Sequence, residues 1–131
     1  MKFLIQKVSF VFVLFLFFSS ISYSQSRWKI ISTTDQFIFY YDSETIKYEN
    51  NKINLWVKFK FIKPEYDDDG TKIEYEINKW IINCSTKNLA EVDTNVYYKN
   101  GKYRNYYGSK VFTEIIPDSI AEDAYNFLCP K

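Results

Sequence analysis

The chain has 131 residues, 47% hydrophobic, 21% aromatic and 25% charged, with a formal charge of +1 and no histidine. That length holds one domain of ordinary size, and the near-zero charge argues against a dedicated nucleic-acid binder. Without histidine there is no Ser-His-Asp or Cys-His nucleophile system, no histidine-ligated zinc and no imidazole proton transfer.

At the N-terminus, Lys2 and Lys7 precede an unbroken apolar run from Phe10 to Phe18 and the small polar stretch from Ser19 to Ser24. This is the order of an export signal, with Ser22 and Ser24 at positions −3 and −1 of a cleavage site. The run reaches only ~14 Å as a helix, against the ~30 Å of a hydrocarbon core. A cleaved signal peptide over 1–24 and a single domain over 25–131 are therefore expected. No cysteine lies near the cleavage point to accept a lipid, so the expected location is periplasmic, secreted or at the cell surface, without a lipid anchor. Both signal lysines leave with the leader, and 15 basic against 16 acidic residues give the mature chain a charge of −1.

Scarce alanine and leucine beside abundant isoleucine, tyrosine and valine favour strands. Trp28–Ile31 and Phe37–Tyr41 are the first, and Asp42-Ser43-Glu44 turns the chain into Thr45–Tyr48. Asn50-Asn51 can supply the positive φ angles of a tight hairpin. Beyond it Ile53, Leu55, Val57, Phe59 and Phe61 alternate strictly with polar positions and Trp56, the clearest strand pattern in the chain. After Pro64 and a turn at Asp67–Gly70, Ile73, Tyr75 and Ile77 are read as the inward set, with Glu74, Glu76 and Asn78 outward. Around Trp80-Ile81-Ile82 both parities are apolar, which predicts cover on both faces. Val92–Lys99 and Lys102–Tyr107 flank Asn100-Gly101, the strongest hairpin dipeptide, and should set Lys99 opposite Lys102. Val111–Ile116 is the last strand.

Pro117 ends the pairing, and Ser119 with Glu122 reads as a capping box. Ile120, Ala124, Phe127 and Leu128 fall at helical spacing, so 119–128 should form one short amphipathic helix. Two cysteines in a small exported domain most often pair; free thiols or an intermolecular bridge are the alternatives. A Cys84–Cys129 bond would tether the helix end to the apolar strand end. The fold class is thus α+β: an antiparallel sheet of about six strands, one C-terminal helix packed across it, and a disulfide tying the two. Trp28, Trp56 and Trp80 are assigned to core or interface packing.

Several short motifs point beyond architecture. They are Trp28-x-x-Ile31, Tyr41-Asp42 with Thr45-Ile46, Trp56-Val57-Lys58, Asn83-Cys84, the hairpin of Tyr97 and Gly101, and Ile116-Pro117-x-Ser119 with Tyr125 and Cys129. On these the mature chain resembles the surface-adhesin protein E-like domains of Gram-negative bacteria over essentially its whole length. The resemblance implies an antiparallel sheet whose C-terminal helix is held by a disulfide. It also implies an exported, non-catalytic, adhesin-like domain with a protein partner, extracellular-matrix proteins included, and a homodimer. The founding member of that family is a dimeric outer-membrane lipoprotein.

Three constellations have residue types that could carry chemistry. Glu65-x-Asp67-x-Asp69-Gly70 with Glu76 has the spacing of a calcium loop. Its flanks are strands and its first position is Glu, so a solvated turn is preferred and no metal site is assigned. The run from Tyr97 to Tyr107 holds five tyrosines and three basic residues without an acid. Tyr97, Tyr98, Lys99, Lys102, Tyr103, Arg104, Tyr106 and Tyr107 form the candidate binding patch, since exposed aromatic and basic surfaces mark interfaces. Export makes nucleic acid an unsuitable target for it. The sixteen acids offer no spacing that singles out a glycosidase-like pair. No catalytic residue or cofactor is assigned. The competing functions are a small periplasmic hydrolase using paired carboxylates and a periplasmic inhibitor or assembly accessory protein. An acid-lined cleft would favour the enzyme, and an open aromatic surface the binding module.

Overall fold

Tight turns at three points set the register of the sheet. The computed structural model describes residues 26–131, and the leader expected over 1–24 lies outside them. The strands are β1 (Trp28–Thr33), β2 (Phe37–Asp42), β3 (Lys47–Glu49), β4 (Lys52–Tyr66), β5 (Lys72–Asn83), β6 (Asn88–Tyr98), β7 (Tyr103–Tyr107) and β8 (Thr113–Glu114), followed by helix α1 (Ile120–Leu128). Between β3 and β4, Asn50 and Asn51 take φ values of 48° and 61°, the paired left-handed conformation of a two-residue hairpin that asparagine tolerates. The expected role of this dipeptide is met.

The β4–β5 and β6–β7 connections share another geometry. Asp67 N donates to Thr71 O and Gly70 N to Asp67 O; Tyr98 N donates to Lys102 O and Gly101 N to Tyr98 O. Each is a three-residue loop, a turn closed by a glycine at positive φ: 76° at Gly70 and 84° at Gly101. Asn100 does not take the left-handed conformation expected of an Asn-Gly hairpin. Its carboxamide oxygen accepts instead from Lys102 N at 3.0 Å. Lys99 therefore sits within the loop, not across from Lys102.

The sheet is antiparallel throughout, in the order β1-β2-β4-β5-β6-β7, with β3 on β4 and β8 on β6. Six main positions agree with the expected meander. The count rises to eight because two lines of pairing are interrupted. One break lies at residues 43–46, after Asp42; the other begins at Gly108, whose N–H donates to Val92 O at 2.8 Å. A Cβ on Gly108 would stand 2.2 Å from Glu91 O and 2.6 Å from its carbonyl carbon, both backbone atoms that cannot turn aside. Gly108→Ala should therefore lower stability by about 2 kcal/mol, a fall of about 10 °C in melting temperature. A thermal melt unchanged from wild type would show that the edge gives way freely.

One face of the sheet is covered by α1. Phe39, Ile53, Leu55, Val57, Trp80, Ile82 and Leu89 are buried there with Ile115, Ala124 and Leu128. Ser119 caps the helix, its Oγ accepting from Glu122 N at 3.3 Å, while Glu122 Oε2 accepts from Asp118 N at 2.8 Å. That is a capping box with its return bond displaced by one residue, of a kind contributing about 1 kcal/mol. Phe127 departs from the expected apolar stripe: it is 54% exposed and lies at the flank, 5.9 Å from the Tyr41 ring. Tyr125 faces inward in part, and its hydroxyl donates to Cys84 O at 3.2 Å. The Cys84–Cys129 disulfide, with Cα atoms 5.7 Å apart, then fixes the helix end to the loop after β5.

Strand β5 keeps the expected phase at Ile73, which is buried with Val96 and Tyr98. The ladder shifts between Ile73 and Tyr75, and from Tyr75 to Asn78 the parity is opposite to the one expected. Val57 pairs with Asn78 and Phe59 with Glu76, so Asn78 and Glu76 share the face of Trp80 and Ile82. Successive side chains alternate, and burial of Trp80 and Ile82 fixes the phase from Tyr75 onward. Asn78 is accordingly buried. Burial, with Glu65 and Glu91 adding to it, raises the Glu76 carboxyl above its ordinary range against a lowering contact from Asn78. Tyr75 and Ile77 are displaced to the other face, which the helix does not cover.

Candidate functional site

The sheet divides the eight residues of the candidate patch between its two sides. Tyr97 pairs with Tyr103, Val96 with Arg104, Thr94 with Tyr106 and Asp93 with Tyr107. Alternation sends Tyr97, Tyr103 and Tyr107 to the uncovered face, and Arg104 and Tyr106 to the helix side. Tyr98 is buried beside Ile73 and Val96. Burial, and after it the adjoining Asp67 carboxylate and Tyr106 phenol, push its hydroxyl up to about 12. Arg104 donates from Nη2 to Asp69 Oδ2 at 2.9 Å, and its guanidinium lies 5.8 Å from the Tyr98 ring centre. It ties the β4–β5 loop to β7. Lys99, Lys102, Tyr103 and Tyr107 are exposed at the hairpin and its edge strand, Tyr107 to 85%.

The calcium-like spacing resolves into the same loop. Asp67 Oδ1 accepts from Asp69 N at 3.0 Å and from Thr71 N at 2.9 Å, so that oxygen organises the turn. Glu76 stands on the strand beyond, its carboxyl on the helix side. Among the described residues no group of three or more His, Cys, Asp or Glu gathers as metal ligands would.

The uncovered face holds a second surface, of which the sequence marked only Tyr97 and Tyr103 because its residues come from five strands. Trp28 of β1, Lys58 of β4, Tyr75 of β5, Tyr97 of β6 and Tyr103 of β7 follow one another across the sheet. Tyr75 and Tyr97 stack with centroids 4.6 Å apart, and Tyr97 and Tyr103 with centroids 5.8 Å apart. The Lys58 ammonium lies 4.5 Å from the Tyr75 ring centre and 5.5 Å from that of Trp28. Burial, with Lys60 adding to it and Glu74 opposing, holds that ammonium below the usual lysine range. Lys79 lies over Trp56 in the same manner, at 5.7 Å. The arrangement lays the ammonium groups on aromatic faces, as cation–π contacts.

Beside this row runs a concavity of about 490 Å³, lined by Trp28, Asp42, Thr45, Trp56, Asn95 and Tyr97 among others. A second of about 390 Å³ adjoins it through Thr45 and Trp56 and reaches Asn54, Lys47 and Lys79. Asp42, at the head of the first, is bonded to Arg27, with Nε donating to Oδ1 at 3.1 Å and Nη2 to Oδ2. Burial would raise its carboxyl; the bonds from Arg27, Thr45 and the Glu44 amide outweigh that and hold it below the ordinary range. A general acid in a glycosidase needs the opposite shift. The alternation of Trp56 with Lys58 is the one local sign of this surface, and it becomes legible only with the phase of β5.

A sheet with a disulfide-tethered helix on one side and an aromatic, lysine-bearing face on the other defines a small sheet-and-helix domain whose open side is built of side chains. The chain belongs to the family described as surface-adhesin protein E, whose profile matches residues 28–130, and it is an adhesin-like surface protein by that membership. No curated protein matches it significantly. Among solved structures it is similar to Haemophilus influenzae protein E, at 19% identity and a TM-score of 0.55 over 80% of this chain and 85% of that one. Protein E from non-typeable Haemophilus influenzae is also similar, at 18% identity and a TM-score of 0.53 over 80% and 76%. At these identities the likeness establishes the fold. Among the described residues no helix is long and apolar enough to cross a membrane.

Proposed function

We propose that this is an exported, non-catalytic interaction domain that works as an adhesin, with residues 1–24 removed as a signal peptide and 25–131 forming the single domain. Its partner is a protein, and extracellular-matrix proteins are the class to which the family points. The domain acts in the periplasm or at the cell surface without a lipid anchor, as a homodimer. The observation that carries the reading is the exposed β6–β7 hairpin, with Lys99 and Lys102 at its tip and Tyr103 and Tyr107 exposed on the edge strand β7. Aromatic rings beside cations supply contact area together with long-range attraction. The acid nearest the larger concavity is already neutralised by Arg27, which favours binding over a carboxylate-dependent hydrolase.

The test measures binding to an immobilised basement-membrane extract. Lys99→Gln with Lys102→Gln and Tyr107→Ala should weaken it about tenfold and flatten its dependence on salt. Arg104 is left in place, because its bond to Asp69 holds the loop. Binding unchanged in the triple variant would remove the hairpin from the interface.

A further inference from the structure

We propose that the uncovered face of the sheet is a binding groove for an acidic saccharide, with Trp28 and Trp56 as platforms for sugar rings and Lys58 and Lys79 as partners for carboxylate or sulfate groups. The inference extends the binding reading to a different side of the domain and to ligands of another chemistry. Three observations carry it.

First, the groove lies over the interior of the sheet. There most backbone N–H and C=O groups are consumed in the ladders joining β2, β4, β5 and β6, and pairing on β4 lapses only over the short stretch opposite residues 43–46. An extended peptide seeks a free strand edge for its main chain, and this face has none to give. Recognition must come from side chains, here two indoles, the Thr45 hydroxyl and the carboxamides of Asn54 and Asn95. Flat apolar platforms ringed by amides and hydroxyls suit a polyhydroxylated ring, apolar on its C–H face and polar at its rim.

Second, the charges are complementary to an acid. Arg27 is held by Asp42 and lies 3.8 Å from Glu44, which lines the smaller concavity together with Lys47 and Lys79. Among the described residues, by contrast, neither Lys58 nor Lys79 forms a salt bridge. Both ammonium groups rest on aromatic rings without a bonded carboxylate, Glu74 acting on Lys58 only from beyond ion-pair distance. The partly desolvated Lys58 gains more from an incoming anion than a fully solvated lysine would.

Third, the size fits. The two adjoining concavities of about 490 and 390 Å³ are open and continuous through Trp56, a shape for consecutive units of a chain and not for one enclosed small molecule.

The test titrates the disulfide-bonded protein, followed by tryptophan fluorescence, with a hexasaccharide of uronic acid, its carboxyl-reduced neutral counterpart and poly-glutamate of matched charge. The acidic sugar should give a saturable change, with the neutral one bound about tenfold more weakly. Trp56→Ala and Lys58→Gln should each weaken the acidic sugar about tenfold, with thermal melts confirming the fold; if Trp56→Ala does not fold, Lys58→Gln decides. The proposal is overturned by an unsaturable titration, by equal affinity in Lys58→Gln, or by poly-glutamate binding as tightly as the sugar, which would make the face a site for acidic peptides. Lys99→Gln with Lys102→Gln should leave the sugar affinity unchanged, so failure of the hairpin reading and failure of this one are told apart.

Discussion

Replacing both cysteines, Cys84→Ala with Cys129→Ala, is expected to lower the stability of the domain by about 4 kcal/mol and its melting temperature by roughly 15–25 °C. The bond joins residues 45 apart in sequence, and closing a loop of that length removes much freedom from the unfolded chain. A second consequence follows from what it holds. Helix α1 has nine residues, too few to persist alone in water. Its buried residues Ala124 and Leu128 belong to the same core as Ile53, Ile82 and Leu89, and without the tether its end is held by packing and by the Tyr125 hydroxyl bond to Cys84 O. Local opening of the helix should therefore precede global unfolding in the variant. Thermal denaturation with and without reductant checks the first point, and amide exchange at residues 120–128 the second. A double variant melting within a few degrees of wild type, with α1 amides equally protected, would show that packing alone secures the helix.

Much of this architecture was legible because it rests on local patterns. The alternation from Ile53 to Phe61 specifies one half-covered strand; Asn50-Asn51 specifies a hairpin; Ser119 and Glu122 specify a helix start. The Cys84–Cys129 pairing followed from the export context and from the need to cover Trp80 and Ile82. What local patterns could not set was the phase of β5. Ile73-Glu74-Tyr75-Glu76-Ile77-Asn78 alternates cleanly and invites the reading that its isoleucines face inward. Ile73 does so, in a small core with Val96 and Tyr98. The ladder shifts after it, and the burial of Trp80 and Ile82 on the even positions decides the phase from Tyr75 onward. The cost is a buried Asn78 and a half-buried Glu76 on the helix side.

The same phase creates the open aromatic face. Once Tyr75 and Ile77 point away from the helix, they join Trp56 and Lys58 of β4 and Tyr97 of β6 on one surface. No spacing in the sequence announces that gathering, because the contributors are spread over several strands and cross-strand neighbours depend on register. The hairpin tyrosines show the converse. Contiguous in sequence, Tyr97 and Tyr98 go to opposite faces, one into a stacked row and the other into a small core.

Asp42 is the other feature that a local reading undervalued, and its replacement is expected to have the second largest effect. Read as a turn residue, its side chain is 1% exposed and accepts four hydrogen bonds, from Arg27 Nε and Nη2, from Glu44 N at 3.1 Å and from Thr45 Oγ1 at 2.6 Å. Those bonds shape residues 43–46, which interrupt the line of β2 and β3 and form one wall of the groove. Asp42→Ala strands the donors of Glu44 and Thr45 and should reduce stability by about 3 kcal/mol. Asp42→Asn keeps an oxygen for them but loses the charge opposite Arg27, and about half that loss is expected. The pH dependence separates the two contributions. The folded carboxyl titrates below its unfolded value of about 3.9, so the unfolded chain binds the proton more readily. The stabilisation is complete above that value and disappears as the pH falls through it towards the folded one. Asp67 is held low by the backbone of its own turn against burial, and Glu122 is held low by Lys87, so the acid decline of Asp42→Asn should be shallower than that of wild type without being abolished. Denaturant titrations of both proteins between pH 2 and 7 provide the comparison. Parallel curves across the acid range would show that the Arg27–Asp42 pair adds nothing beyond what a neutral carboxamide supplies.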